Sequence, residues 1–274
     1  MRHAKVVVPG CLGLASDNIL MLLRHLHLPG LTRYAHAAGI QESLVSAFLA
    51  QKANKTLIPP PPTILTFQFH PVYTCGRREA NSLSAEQISF LRHRDPTSSE
   101  KEDVADFEYA ARGGQTTYHG PGQLVAYPVL DLRAHQLSSR CYVNLLEETV
   151  IATCARYGIR GFRTANPGVW VSEEEKICAV GVHLRRYIAS HGIGLNVTGE
   201  PLGWFQRIVA CGLEGKRATA LEFASSNKIE GGADTVADVF VEEMASRLDG
   251  ITEVKSITEG ELLSALSGSP PVSI

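Results

Sequence analysis

Residues 112–123 read Arg-Gly-Gly-Gln-Thr-Thr-Tyr-His-Gly-Pro-Gly-Gln, and the apolar run Leu124–Leu130 follows at once. Four glycines in twelve positions let the backbone approach a ligand with no Cβ in the way. Arg112 and His119 bring charge and proton-transfer capacity to the same loop. The following run has strand composition, so a rigid strand is expected to carry a loop built to hold something. A second chemical candidate is Cys211, where the apolar approach from Ile208 ends in Cys-Gly and a turn would expose the sulfur. A free thiol titrates at about 8.5, and a nearby ammonium raises the thiolate fraction. Lys176 opens the apolar run Ile177–Val182 and could supply that charge. It could move protons only if its own pKa were lowered from about 10.4 by burial or neighbouring charge. His119 is an alternative base for the thiol, and sequence alone does not separate Cys211 from Cys178.

Elements must position these groups. Apolar periodicity predicts a helix over 31–51, with Thr32 as its N-cap. Pro59–Pro62 breaks the chain before a strand at Thr63–Phe69. Residues 92–106 and 222–234 read as solvated surface insertions. A second helix is expected over 139–157, with Val143, Leu146, Val150, Ile151 and Cys154 on one face and Gly158 as its stop. Strands at Gly168–Ser172 and Lys176–Leu184 are joined by Ser172–Glu175 as a hairpin, and another strand covers 191–198. Helices at about 235–248 and 258–267 close the chain, the second opened by a Thr258-x-x-Glu261 capping box. This order indicates an α+β domain with a mixed or antiparallel sheet and packed helices.

Composition narrows the function classes. Hydrophobic residues make up 44% of the 274, enough for a sizeable core. The net charge of −2, with no long basic block, argues against non-specific nucleic-acid binding. No apolar run reaches the ~20 residues of a membrane span. Six cysteines, none in Cys-x-x-Cys spacing, argue against zinc and suggest free thiols in a reducing compartment. Residues 1–16 carry Arg2, His3 and Lys5 and no acid before Asp17, which suits a short mitochondrial presequence in charge but is poor in arginine and serine.

The segment Arg-Gly-Gly-x-x-Thr-Tyr-His-Gly-Pro-Gly-Gln-Leu-x-x-Tyr-Pro resembles the signature of the lipoyl(octanoyl) transferases. Gly168–Val171 with Lys176–Val182, and Ile208–Leu213, match two further segments of that family. Tyr34, Gln41-Glu42 and His70–Arg77 fit its N-terminal part, and the resemblance runs from about Leu22 to about Leu248. It implies the catalytic-domain fold of biotin and lipoate protein ligases, in a domain over 21–250. Residues 1–20 would be an N-terminal segment and 251–274 an extension. It also implies octanoyl transfer from octanoyl-acyl carrier protein to apo lipoyl domains of 2-oxoacid dehydrogenases and the glycine cleavage H protein. No cofactor or metal, and no nucleic acid or membrane, is implied.

By that resemblance Cys211 would carry the acyl group and Lys176 would be its catalytic partner. Arg112, Gly113, Gly114, Gln115, Thr116, Thr117, Tyr118 and His119 would line the acyl pocket. Ala179, Val180, Gly181, Gly192, Ile193 and Gly194 would form its other walls, with His119 a wall or hydrogen-bond anchor. An acidic carrier and acceptor imply a basic patch near the mouth, with Arg77-Arg78 and Arg185-Arg186 as candidates. The chain departs from the family at Ala210, at the acidic run Glu173–Glu175, and in its two insertions and C-terminal extension. Such lengthening points to an organellar, mitochondrial member, with a cytoplasmic one as alternative. Two rival readings are an ATP-dependent lipoate or biotin protein ligase, which needs no nucleophilic cysteine, and a non-catalytic carrier-binding relative. A ligase would carry a longer glycine run, whereas here Arg-Gly-Gly is followed by Gln-Thr-Thr-Tyr-His and Cys-Gly stands at 211; keeping both Lys176 and Cys211 argues against the second.

Overall fold

A computed structural model describes residues 20–80, 82–93, 104–208, 215–226 and 228–267. The strands are β1 (Met21–Thr32), β2 (Thr63–Phe69), β3 (Val72–Cys75), β4 (Asp106–Tyr109), β5 (Thr117–His119), β6 (Gln123–Asp131), β7 (Val169–Trp170), β8 (Glu175–Arg185), β9 (Ile188–Asn196), β10 (Arg217–Ala218) and β11 (Ile251–Ser256). The helices are α1 (Tyr34–Ala53), α2 (Ala85–Arg92), α3 (Ser139–Arg156), α4 (Leu202–Phe205), α5 (Leu221–Ala224), α6 (Gly232–Arg247) and α7 (Glu259–Ser267). The main sheet runs β10-β8-β9-β6-β2-β1-β11, with β7 paired to β8. It is mixed: β10/β8, β2/β1 and β1/β11 are parallel and the rest antiparallel. A small second sheet, β4-β3-β5, carries Thr117–His119, the middle of the glycine-rich motif.

Strand alternation explains the two cores. Along β6, Leu124 and Ala126 join α3 and α6 in one apolar cluster, whereas Val125, Tyr127 and Val129 join α1 in another. Helices therefore cover both faces of the sheet, and β6 is buried along nearly its whole length. That burial makes β6 the stiff support under the loop that precedes it.

Several elements differ from the sequence expectation. Helix α1 starts at Tyr34, not Thr32, because Thr32 still pairs with Phe69 in the sheet, and Arg33 caps the helix without a side-chain bond. Strand β1 was not expected; Pro29-Gly30 interrupts its pattern, and the register with β2 shifts between His27 and Leu31. Strand β9 begins at Ile188, three residues early, because Arg186 and Tyr187 both take left-handed backbone (φ 53° and 68°) in a tight β8–β9 turn. Arg133 stacks 3.9 Å over the Tyr187 ring and steadies that turn. Helix α2, with a Ser84/Gln87 capping box, occupies the approach to the first expected insertion, of which residues 94–103 lie outside the described residues. The second expected insertion contributes α5 and the start of α6. Strand β11 pairs in parallel with β1, and Leu262 of α7 enters the α1-side core. The Thr258/Glu261 capping bonds are present in both directions. The all-thiol expectation needs one correction: Cys141 is disulfide-bonded, whereas Cys75, Cys154 and Cys178 are free.

Candidate active site

The glycine-rich loop is folded around its own arginine. Arg112 is 7% exposed, and its guanidinium donates to the Thr74 carbonyl (2.6 Å) and hydroxyl (2.7 Å) and to the Gly113 (3.0 Å) and Gln115 (2.9 Å) carbonyls. A buried guanidinium needs such acceptors, and the fork satisfies several backbone carbonyls at once. Gly113 N–H then donates to the Val182 carbonyl at 3.0 Å, docking the loop on the free edge of β8. Gly76 packs so closely that a Cβ there would lie 2.3 Å from the Gly114 carbonyl oxygen.

Between this loop and the β8–β9 ladder lies a cavity of about 300 Å³, at the small end for a small-molecule site. Arg112, Gly113, Gly114, Gln115, Thr116, Thr117, His119, Lys176, Ala179, Val180, Gly181, Gly192, Ile193 and Gly194 all line it. Of the expected pocket residues only Tyr118 does not. In β5 the side chains alternate, so Thr117 and His119 face the cavity while Tyr118 turns the other way and stacks on Trp204 at 5.2 Å. Thr116 Oγ1 is buried at the cavity wall and has no hydrogen-bond partner among the described residues.

His119 is fixed in one tautomer by a chain of amides. Asn196 Nδ2 donates to the Thr219 carbonyl (2.9 Å), leaving Asn196 Oδ1 to accept from Gln123 Nε2 (2.8 Å). Gln123 Oε1 must then accept from His119 Nδ1, at 2.6 Å. Burial, with help from Arg112, lowers the His119 pKa to about 4. A neutral imidazole of such low basicity is a poor general base at neutral pH, which favours the anchor role over the base role.

Lys176 stands at the other end of the cavity and is 7% exposed. Its Nζ donates to the Pro167 carbonyl at 2.9 Å and sits 4.7 Å from the Trp170 ring centre. The acidic run does not fold back onto it. Glu175, on the opposite face of β8, is bound by Arg217 at 2.9 Å and capped through Ser172. Cys211 lies outside the described residues. The described chain stops at Ile208 and resumes at Gly215, and both flanks adjoin Lys176. Ile208 and Ala218 line a small void with it, and Ala218 pairs with it in the sheet.

The described thiols are poor nucleophiles. Cys178 is buried, and burial pushes its pKa well up; burial pushes Cys154 up to about 12. Cys75 is fully buried. Arg78, expected as a charge near the mouth, lines the cavity too. The sequence reading missed Tyr127, Val143, Asn166, Pro167 and Val182, which also line it, and it missed Glu147. Glu147 is 5% exposed on α3, and its Oε1 accepts the Gly168 N–H at 2.8 Å. A carboxylate on the same helix face as Val143, Leu146 and Val150 was the available signal.

The family model of the lipoyl protein ligase A/B catalytic domain matches residues 33–245. A Schizosaccharomyces pombe protein named a probable octanoyltransferase is 46% identical over 193 residues, 70% of this chain and 81% of that one. The Danio rerio octanoyl-[acyl-carrier-protein]:protein N-octanoyltransferase LIPT2, mitochondrial, is 40% identical over 199 residues, 73% of this chain and 81% of that one. In fold, the chain is similar to a lipoate-protein ligase A bound with ATP, with a TM-score of 0.58 and 13% identity over 91% of this chain and 93% of that one. The glycine-rich loop that folds on Arg112 and the Lys176 that closes its cavity thus sit in a sequence that belongs to the octanoyltransferases of the lipoyl protein ligase A/B catalytic-domain family.

Proposed function

We propose that this octanoyltransferase moves its acyl group in two halves, through a thioester on Cys211, with Lys176 as proton carrier. The donor would be octanoyl-acyl carrier protein, the one named in the Danio rerio relative, and the acceptor a lysine of an apo lipoyl domain. The observation that carries the reading is the position of Lys176. It is buried at the end of the cavity and adjoins both flanks of the segment that contains Cys211.

In the first half the Cys211 thiolate attacks the thioester carbonyl, a new C–S bond forms, and the bond to the carrier's thiol breaks. The departing thiolate takes a proton from the Lys176 ammonium. In the second half the acceptor amine attacks octanoyl-Cys211, the amide forms, and Cys211 leaves as thiolate. The amine's proton goes to Lys176, which restores the starting pair. Thioester-to-thioester exchange is nearly isoenergetic and amide formation is downhill, so no nucleotide is required.

The Val182 carbonyl points away from β9 to the loop, so by ladder alternation the Val180 N–H points the same way. That N–H is the donor we assign to the developing oxyanion. Glycines at 181, 192 and 194 keep this wall low enough for an alkyl chain. Arg78 stands at the cavity, and the charges of Arg77 and Arg185 both reach His183. We assign this rim to the acidic carrier, with Arg185 partly neutralised by Glu42 at 2.8 Å. The mitochondrial name of the Danio rerio relative makes that compartment our reading for this chain as well.

The test is intact mass after incubation with octanoyl-carrier protein, without nucleotide and with EDTA present. A hydroxylamine-labile octanoyl adduct is expected in wild type and absent in Cys211→Ser. Adduct formation in the Cys211→Ser variant at the wild-type level would overturn the assignment, and transfer that needs ATP would favour a ligase.

A further inference from the structure

We propose that Glu147 is the positioning residue for Lys176, acting through the single peptide group between Pro167 and Gly168. The inference rests on the reading of Lys176 as proton carrier.

The Gly168 N–H and the Pro167 carbonyl belong to one planar amide. Glu147 Oε1 accepts the N–H at 2.8 Å, and Lys176 Nζ donates to the carbonyl at 2.9 Å. The carboxylate and the ammonium therefore grip opposite ends of one amide dipole, each at the end of complementary charge. Glu147 comes from α3 and Lys176 from β8, so the amide ties the helix layer to the sheet exactly where the ammonium must be aimed at the cavity.

A buried carboxylate in an apolar helix face is expensive unless it is used. Val143, Leu146 and Val150 around it show that an aliphatic side chain would suit the face. Burial pushes the Glu147 carboxyl up, and the Gly168 N–H, Arg163 and Lys176 oppose this, with Glu148 acting against them. The turn is held on both sides, by the Asn166 carbonyl that accepts from Thr164 and Trp170 and by Val169 paired with Cys178, and Glu147 is the partner of the Gly168 N–H itself. Gly168 has φ +126°, where a side chain is strained, and the space a Cβ would fill is bounded by the Cys178 carbonyl oxygen and the end of Lys176. Without the carboxylate, the Gly168 N–H would lose its partner and the peptide would be freer to turn its carbonyl away from Lys176, so the ammonium would lose one of the contacts that aim it while the cavity kept its shape.

The test compares Glu147→Met, which keeps the shape and removes the acceptor, with Glu147→Gln, which keeps an acceptor and removes the charge. Lys176→Ala is measured in parallel, with octanoyl-carrier protein as donor and an apo lipoyl domain as acceptor. Glu147→Met is expected to lower kcat by about ten- to a hundredfold with KM within about twofold, as for loss of alignment alone. Glu147→Gln is expected to keep kcat within about threefold, since the Gly168 N–H retains its partner. Wild-type kcat in Glu147→Met, or equal losses in the Met and Gln variants, would overturn the positioning role. If Lys176→Ala kept wild-type turnover, the proton-carrier reading would fall and this inference with it. An inactive Lys176→Ala beside a fully active Glu147→Met would remove this inference alone.

Discussion

Gly168 and Lys176 share one volume: a Cβ built on Gly168 would lie 3.3 Å from Lys176 Nζ and 2.5 Å from the Cys178 carbonyl oxygen. The glycine is required twice, once by this close approach and once by its positive φ. Gly168→Ala should therefore displace the ammonium and strain the turn together. A loss of roughly 1–3 kcal/mol in stability is expected from the backbone conformation, with a fall in kcat of about tenfold or more because a displaced catalytic group costs alignment. Urea denaturation and steady-state kinetics check this. A variant with wild-type kcat would show that Lys176 tolerates displacement.

Lys176 should also govern the reactivity of Cys211. An ammonium beside a thiol favours the thiolate, and each pKa unit of that preference is worth about 1.4 kcal/mol. Lys176→Ala should slow iodoacetamide alkylation of Cys211 near neutral pH. Lys176→Arg should retain part of the alkylation rate but lose turnover, because arginine does not release a proton. Peptide mapping should find Cys75, Cys154 and Cys178 slow in the native protein, since all three are buried. Superimposable alkylation profiles in wild type and Lys176→Ala would separate the lysine from the thiol.

The parts of this site that were legible in the sequence are those that carry a local constraint. Arg112–His119 announced itself by glycine density, α3 by its apolar spacing and its Gly158 stop (φ 74°), and β2 by Pro59–Pro62 before it. What could not be read depends on partners distant in the chain. The Arg112 guanidinium finds its acceptors at Thr74, in another strand, and so serves the loop's own fold as much as any substrate. Tyr118 was swept into the pocket with its neighbours because a continuous motif hides the two-residue alternation of the strand beneath it. Strand β1 is long but broken by Pro29-Gly30, and it is stabilised by pairing on both sides, with β2 and β11. Nothing local to residues 21–32 signals that.

The Thr116 hydroxyl offers a test of substrate contact that leaves the proposed catalytic pair untouched. Buried at the cavity wall without a partner among the described residues, it costs the free enzyme the desolvation of one hydroxyl, about 1–3 kcal/mol. A polar group of the substrate, such as an amide of the carrier's arm, would satisfy it on binding. Thr116→Val keeps the shape and removes the hydroxyl. It should leave the free protein as stable or more so and raise KM for the carrier several-fold, with kcat little changed. A raised melting temperature with an unchanged KM would mean that the hydroxyl meets no substrate.

Acid should weaken the fold through two buried histidines, His119 in the cavity and His191 in β9. His119 is buried with its pKa lowered to about 4, and burial with Arg112 nearby lowers His191 to about 3. In the unfolded chain both return to about 6.5. Between pH 6.5 and 4 the unfolded state therefore binds protons that the folded state refuses, so stability falls as pH falls through that window. Above 6.5 the contribution is fully present, and below the folded-state values it has no further slope. His119 alone corresponds to roughly 3 kcal/mol across its window. The Nδ1–H donated to Gln123 fixes which replacement is informative. His119→Asn keeps an N–H donor but cannot take up the second proton that would charge the imidazole at Nε2, and it should flatten the decline in urea midpoint between pH 7 and pH 4.5, even if it starts from a lower value. Equal slopes in wild type and variant would show that folded His119 takes up its proton over the same pH range as the unfolded chain, and so does not couple pH to stability.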